Sequence, residues 1–280
     1  MNPCRHRRGK TGPDRAFRSL CRIEKPEDRA VPTTVQIAEQ LWIMDGPIVQ
    51  WFMPLPTRMT IARLSRGELL IHSPIELTSE VRIAVEAIGR PRHIVSPNKL
   101  HHLFWGDWQK AYNEAQSFAP PGLRSKRPDL SFGGDLAQSP LSGWAQQIDQ
   151  LVFTGSPLLK EMVLFHRESR TAIFGDLIEN FDPRTLSSFQ RLLARLGGVI
   201  APRGKAPLDY RLSFLMHHTE ARRHLERIIG WTRQQVIMCH GLPVYRDALP
   251  FIESAFSWLR PPGIPTAPEA VGVNQSGIER

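Results

Sequence analysis

The segment Ser96-Pro97-Asn98-Lys99-Leu100-His101-His102 places an ammonium and two adjacent imidazoles in the turn after a β-like run, Arg92–Val95. Similar groups recur where other extended runs stop. His72 closes Leu69-Leu70-Ile71, Asp176 follows Ala172–Gly175, and His240 follows Val236–Cys239. Strand ends are held rigidly while loops converge on them, so α/β folds gather their chemistry there. Three or four imidazoles with one carboxylate form a ligand set for zinc or iron. A metal with an open coordination position could activate water or polarise a carbonyl. Each residue also has a plainer reading. Adjacent histidines cap helices or sit half-exposed, and His101 in particular could point away from a site. An Asp in a turn accepts backbone amides, and a lone histidine can be a satisfied core residue. His72 and His166 alternate with apolar neighbours and are further candidates whose faces the sequence leaves open. Cys239 has no flanking base and reads as a small buried apolar residue.

The elements that would position these groups can be read from periodicity. Gln40–Ile43 and Arg58–Leu64 read as strands, and Glu68–His72 returns across an Arg66-Gly67 turn. Thr78 caps a helix with Val81, Val85 and Ile88 on one face, ended by Gly89-Arg90-Pro91. The segment from Ser96 is expected to open a helix out to Tyr112, with Phe104, Trp105 and Trp108 as core. Ser117–Ala119 is a short strand, and Pro120–Gln147 reads as loop with one basic patch, Arg124–Arg127. Gln150–Thr154, Glu161–His166 and Thr171–Gly175 are strands. Asp182-Pro183 opens a helix carrying Leu186, Phe189, Leu192, Leu193 and Leu196 inward, stopped by Gly197-Gly198. Thr219–Gly230 is a basic helix with Leu225, Ile228 and Ile229 inward, and Gln235–Cys239 a strand. Asp247–Leu259 is a last helix facing the core through Leu249, Ile252, Phe256 and Leu259. This order predicts two facing sheets with helices outside, one four-layer αββα sandwich over residues 34–260.

Composition sets the boundaries. The net charge is +9, with 36 Lys/Arg against 27 Asp/Glu, and residues 1–31 hold nine of those cations against four acids. The excess is therefore concentrated at the N-terminus, so residues 1–33 are expected to be a disordered basic tail and 261–280 a Pro/Gly-rich one. The basic tail could tether RNA or an acidic surface, or be a plain solvated leader. No clustered basic stripe is visible elsewhere, so nucleic acid is not expected as a partner. No apolar run approaches the ~20 residues of a membrane span, so no membrane is expected either. Three scattered cysteines (Cys4, Cys21, Cys239) suggest the reducing cytosol. No Walker loop, nucleophile elbow or CxxC pair is present.

The motif order resembles the metallo-β-lactamase superfamily, and most closely an uncharacterised domain-of-unknown-function family related to it. Ser96–His102 stands where that superfamily has His-x-His-x-Asp-His, Thr154–Pro157 where it has Gly-His-Thr-Pro, Gly175-Asp176 keeps its Gly-Asp pair, and Cys239-His240 keeps its late His. Ile71-His72-Ser73-Pro74, Pro97–His102 and Phe165-His166-Arg167 match the smaller family. The resemblance implies a degenerate site. Pro97, Lys99 and Gly155 replace the three histidines of the first metal, while His101, His102, Asp176 and His240 occupy the positions of the second. It implies one zinc or iron ion held by His102, Asp176 and His240, with His101 as fourth ligand or acid/base and Lys99 as a fixed charge for substrate. The function so implied is a mononuclear metal-dependent hydrolase for a small anionic or ester-like substrate. The alternative is a binding or scaffold protein that kept the fold and lost catalysis.

Overall fold

The computed structural model describes residues 22–23, 32–50, 53–231 and 233–259. The C-terminal tail expected over 261–280 lies outside these residues. So does the basic tail, except near its end. There Arg22–Ile23 form a two-residue strand, β1, antiparallel to β4 (Val49–Gln50), which pairs with β5 (Pro54–Leu55).

Two larger sheets carry the domain. The seven-stranded sheet contains β2 (Thr34–Ala38), β3 (Leu41–Asp45), β6 (Arg58–Arg63), β7 (Glu68–His72), β8 (Arg90–Val95), β9 (Gln116–Ala119) and β10 (Gly134–Asp135), in the order β10-β9-β8-β7-β6-β3-β2. The four-stranded sheet runs β11 (Ile148–Phe153), β12 (Glu161–His166), β13 (Thr171–Phe174) and β14 (Gln235–Met238). Alternation along the strands divides the apolar residues into layers. Leu41, Leu70, Val95, Leu164, Ile173 and Ile237 pack between the sheets. Ile71 and Ile94 pack outward against Val81, Val85, Trp105 and Trp108 of two helices. Val163, Phe165 and Phe174 pack outward against Ile228 and Ile252 of two others. The layers are α, β, β, α, as the periodicity predicts.

Two parallel pairings set the edge where the chemistry lies. His72 of β7 is in register with Val95 of β8, and Phe174 of β13 with Met238 of β14. Four strands therefore release His72, the Ser96–His102 loop, Asp176 and His240.

Several expectations need correction. The segment after Val95 is not helical until Trp105, and helix Trp105–Ala111 is short. Side chains compete with the helix bonds there: Ser96 Oγ donates to the Asn98 carbonyl (3.0 Å), and Asn98 Oδ1 accepts from Leu100 N (2.8 Å). Asp182 caps only a three-residue turn, Pro183–Thr185, whereas the helix Ser188–Gly197 starts from a Ser187/Gln190 capping box. Phe189, Leu192, Leu196, Ile229 and Leu249 are exposed rather than inward. Arg127, from the loop read as a basic patch, is buried.

Candidate metal centre

Three of the expected residues converge. Among the described residues, one ligand atom from each of His101, Asp176 and His240 lies within 4.8 Å of the others. Nε2 of His101 and Nε2 of His240 each stand 3.1 Å from the same oxygen, Asp176 Oδ1. The two rings are 5.1 Å apart.

Their outer nitrogens are fixed. His240 Nδ1 is 2.7 Å from the Pro56 carbonyl, which can only accept, so Nδ1 carries a proton and Nε2 of the neutral ring is a lone pair. His101 Nδ1 meets Ser73 Oγ at 2.9 Å. Ser73 has a left-handed backbone, φ 56°, a costly conformation for a side chain other than Gly or Asn. Gly241 is what lets His240 sit here. It has φ 99°, and a Cβ on it would overlap the Asn180 carbonyl. Arg58 braces the same turn from the other sheet. Its Nη1 donates to the carbonyls of Gly241 (2.5 Å) and Met238 (3.3 Å), and its Nε to Asp45 Oδ1 (2.7 Å).

A buried scaffold of polar groups lies behind these three residues. Glu161, fully buried at the head of β12, accepts from the backbone amides of Gly175 (2.8 Å), Asp176 (2.6 Å) and Leu177 (3.0 Å). Asn98 Nδ2 reaches both Asp176 Oδ2 (2.8 Å) and Glu161 Oε2 (3.4 Å). Burial, and then the Asp176 charge, push Glu161 up to about 8, against the pull of the three amides. Burial would raise Asp176 too, but the charge and hydrogen bond of His101 and the hydrogen bond of His240 hold it well below the usual carboxylate range. Burial works against the charged form of His240, yet its hydrogen bond to Asp176 raises its pKa.

The other candidates fall elsewhere. His102 is turned away: Arg127 Nη1 donates to its Nδ1 (3.0 Å) and to its carbonyl (3.2 Å). An Arg never accepts, so His102 spends its lone pair on Arg127 and keeps its proton on Nε2. It is His101 that faces Asp176. Lys99 lies along Gly122, where a Cβ would stand 3.3 Å from its Cδ. His72 is fully buried, and neither ring nitrogen has a hydrogen-bond partner among the described protein groups. Leu70 packs between the sheets, so alternation turns His72 into the same space. Burial and then the nearby His101 lower its pKa to about 3. His166 stands at the opposite end of β12 from Glu161, with Nδ1 on Ser169 Oγ (2.7 Å). Cys239 is buried, and burial pushes its thiol up.

Sequence reasoning missed Ser73, Glu161 and Arg58. Glu161 left a trace, a lone carboxylate heading an otherwise apolar strand. The positions that the resemblance assigns to a first metal hold Pro97, Lys99 and Gly155, none of them a histidine. A Cβ on Gly155 would stand 3.2 Å from the His217 carbonyl and 3.3 Å from Phe214, and the Pro97 ring fills the space beside Gly175.

The donor set fits a metal ion. His240, whose neutral ring keeps its proton on Nδ1, faces Asp176 Oδ1 with a lone pair, an arrangement that calls for a cation or a second proton between them, and His101 Nε2 meets the same oxygen. Two nitrogens and one oxygen suit zinc or iron.

Residues 38–192 match the profile of a domain of unknown function, DUF4336. No curated protein matches the chain by sequence. The fold is similar to that of a metallo-β-lactamase from Hirschia baltica (13% identity over 83% of this chain and 99% of that one, TM-score 0.56). It is also similar to the metallo-β-lactamase FIM-1 from Pseudomonas aeruginosa in its mono-zinc form (12% identity, 83% and 98%, 0.56) and to DIM-1 metallo-β-lactamase (11%, 82% and 97%, 0.58).

Proposed function

The chain belongs to the DUF4336 family and has a metallo-β-lactamase fold, and from that premise we propose that it is a mononuclear metal-dependent hydrolase acting on a small anionic or ester-like substrate. His101, Asp176 and His240 would hold the ion. The observation that carries this reading is the aim of the His101 and His240 Nε2 atoms at one Asp176 oxygen, with the His240 proton committed to Pro56. A bound zinc or iron would supply Lewis acidity toward a carbonyl or a water molecule. The chain's own residues do the rest. Ser73 and Pro56 hold the outer nitrogens of the two rings, so that their inner nitrogens stay together. Asn98 keeps the Asp176 and Glu161 carboxyl groups in line. Lys99, two residues before His101 and partly exposed, would meet an anionic group of the substrate.

A second reading, a scaffold without catalysis, draws on the closed space at Gly155 and Pro97. Metal analysis of protein purified after zinc or iron supplementation separates the two. The enzyme reading expects about one ion per chain, lost in His240→Ala. A wild type holding no more metal than that variant refutes it. Metal bound without hydrolysis across a panel of esters, thioesters and phosphoesters favours the scaffold.

A further inference from the structure

The N-terminal segment reaches the candidate metal centre through a relay of backbone pairings. Ile23 of β1 is in register with Val49 of β4, and Arg22 with Gln50. Val49 and Gln50 pair in turn with Leu55 and Pro54 of β5. The residue after β5 is Pro56, whose carbonyl stands 2.7 Å from His240 Nδ1. A segment whose composition reads as a tail is thus two strand pairings away from the group that holds an imidazole of the site.

The middle of this relay is weak. β4 and β5 have two residues each, and Pro54 has no N–H to give to their ladder. A two-stranded hairpin is marginal in water, and a third strand with an apolar contact is what lets such a sheet hold. β1 supplies both. It flanks β4 on the side away from β5, and Ile23 packs, partly buried, against the apolar cluster on the outer face of the seven-stranded sheet. The hairpin has other supports at its ends. Gly46 N donates to the Thr57 carbonyl and Thr57 Oγ1 to the Pro47 carbonyl (both 2.8 Å), and Met53 and Leu55 belong to the cluster of Phe181 and Leu186. None of these pairs with β4, whose two partners are β1 and β5.

The Pro56 carbonyl matters because it decides where the His240 proton sits. While Nδ1 donates to it, Nε2 of the neutral ring is a lone pair 3.1 Å from Asp176 Oδ1. If the carbonyl drifts, the proton is free to move to Nε2 and on to a bond with Asp176, and the donor atom for a cation is lost. We infer that Ile23 is a positioning residue for His240: by holding β4 it keeps β5, and with it the Pro56 carbonyl, against Nδ1. The effect on an ion rests on the metal-centre reading, whereas the hold on the His240 proton does not.

The test uses the full chain carrying Ile23→Asp, Ile23→Ala or Ile23→Val. The first puts a charge into the apolar contact, the second removes the contact and the third keeps most of it. Heteronuclear NMR of the metal-free protein follows the His240 Nδ1 proton, assigned by its loss in His240→Ala. In Ile23→Asp that proton should exchange with water about tenfold faster or more, and Ile23→Val should restore the wild-type rate. Zinc affinity, read against a chromophoric chelator, should fall about tenfold in Ile23→Asp, less in Ile23→Ala and not in Ile23→Val. Ile23 lies at the margin of the core, so the melting temperature of the metal-free variants should stay close to that of the wild type. Unchanged proton exchange in Ile23→Asp overturns the inference, as does a zinc affinity that fails to follow the exchange. A collapse of the melting temperature in both Ile23→Asp and Ile23→Ala overturns it too, since Ile23 would then serve the whole fold and not His240. A wild type that takes up no zinc, with faster exchange in Ile23→Asp, refutes the metal reading and supports the coupling.

Discussion

Arg58→Met should unfold the metal centre's support before it touches a ligand. Arg58 is 8% exposed, and its guanidinium is the link between β6 of one sheet and the turn that carries His240 on the other. Its short bond to the Gly241 carbonyl is charge-assisted, worth about 2 kcal/mol, and the longer one to Met238 adds about 1 kcal/mol. Asp45 adds little, because its side chain is 66% exposed and water screens the pair. The expected loss is about 3 kcal/mol, or about 6–12 °C in Tm for a domain of this size. Asp45→Asn, which removes the visible salt bridge and spares the carbonyls, should cost less than about 1 kcal/mol. Urea unfolding of the metal-free proteins, followed by tryptophan fluorescence, measures both. Zinc competition against a chromophoric chelator then reads the site, where Arg58→Met should weaken affinity about tenfold or more as the His240 turn loosens. Equal losses for the two variants would refute the reasoning, since the effect would then reside in the ion pair and not in the bridged carbonyls.

Ser73→Ala should weaken zinc binding by about tenfold or more through the lost contact to His101 Nδ1. Ser73→Gly should lose the same affinity yet recover about 1 kcal/mol of backbone strain in the metal-free protein, and wild-type affinity in Ser73→Ala would exclude the role. Burial lowers His166 from 6.5 to about 4, so its contribution to stability is complete above about pH 6.5 and is lost as pH falls toward 4. His166→Gln should therefore remove about 3 kcal/mol of acid sensitivity, read from urea unfolding at neutral and acid pH; an unchanged slope would show that His166 is not buried neutral. His101→Ala should lower metal content, while His102→Phe should leave it unchanged; the reverse outcome would restore the role first expected of His102.

The layers were legible because burial enforces period. Leu70 and Val95 between the sheets, with Ile71 and Ile94 behind them, follow from alternation alone. Element ends were legible where a cap is chemical, as at Thr78, whose Oγ1 accepts from Val81 N. The helix Ser188–Gly197 misled for the opposite reason. Its stripe has helical period, but period cannot tell a face that meets the core from one that meets something else, and Phe189 and Leu196 lie outside.

The candidate metal centre was legible as a set of strand ends and illegible as a choice between neighbours. Had Ser96–Tyr112 been one helix, His101 and His102 would lie about 100° apart on it, and their facing would follow from the core stripe. Instead Asn98 folds the loop on its own side chain, and His102 N closes a further tight bond on the Leu100 carbonyl (2.9 Å). That turn sends His101 to Asp176 and His102 to Arg127, a residue 25 positions on whose burial no local pattern announces. Arg127 then settles the tautomer of His102 chemically, because a guanidinium can only donate. The choice between two adjacent histidines is thus made by the turn and by Arg127, and it leaves His101 as the imidazole that faces the Asp176 carboxylate.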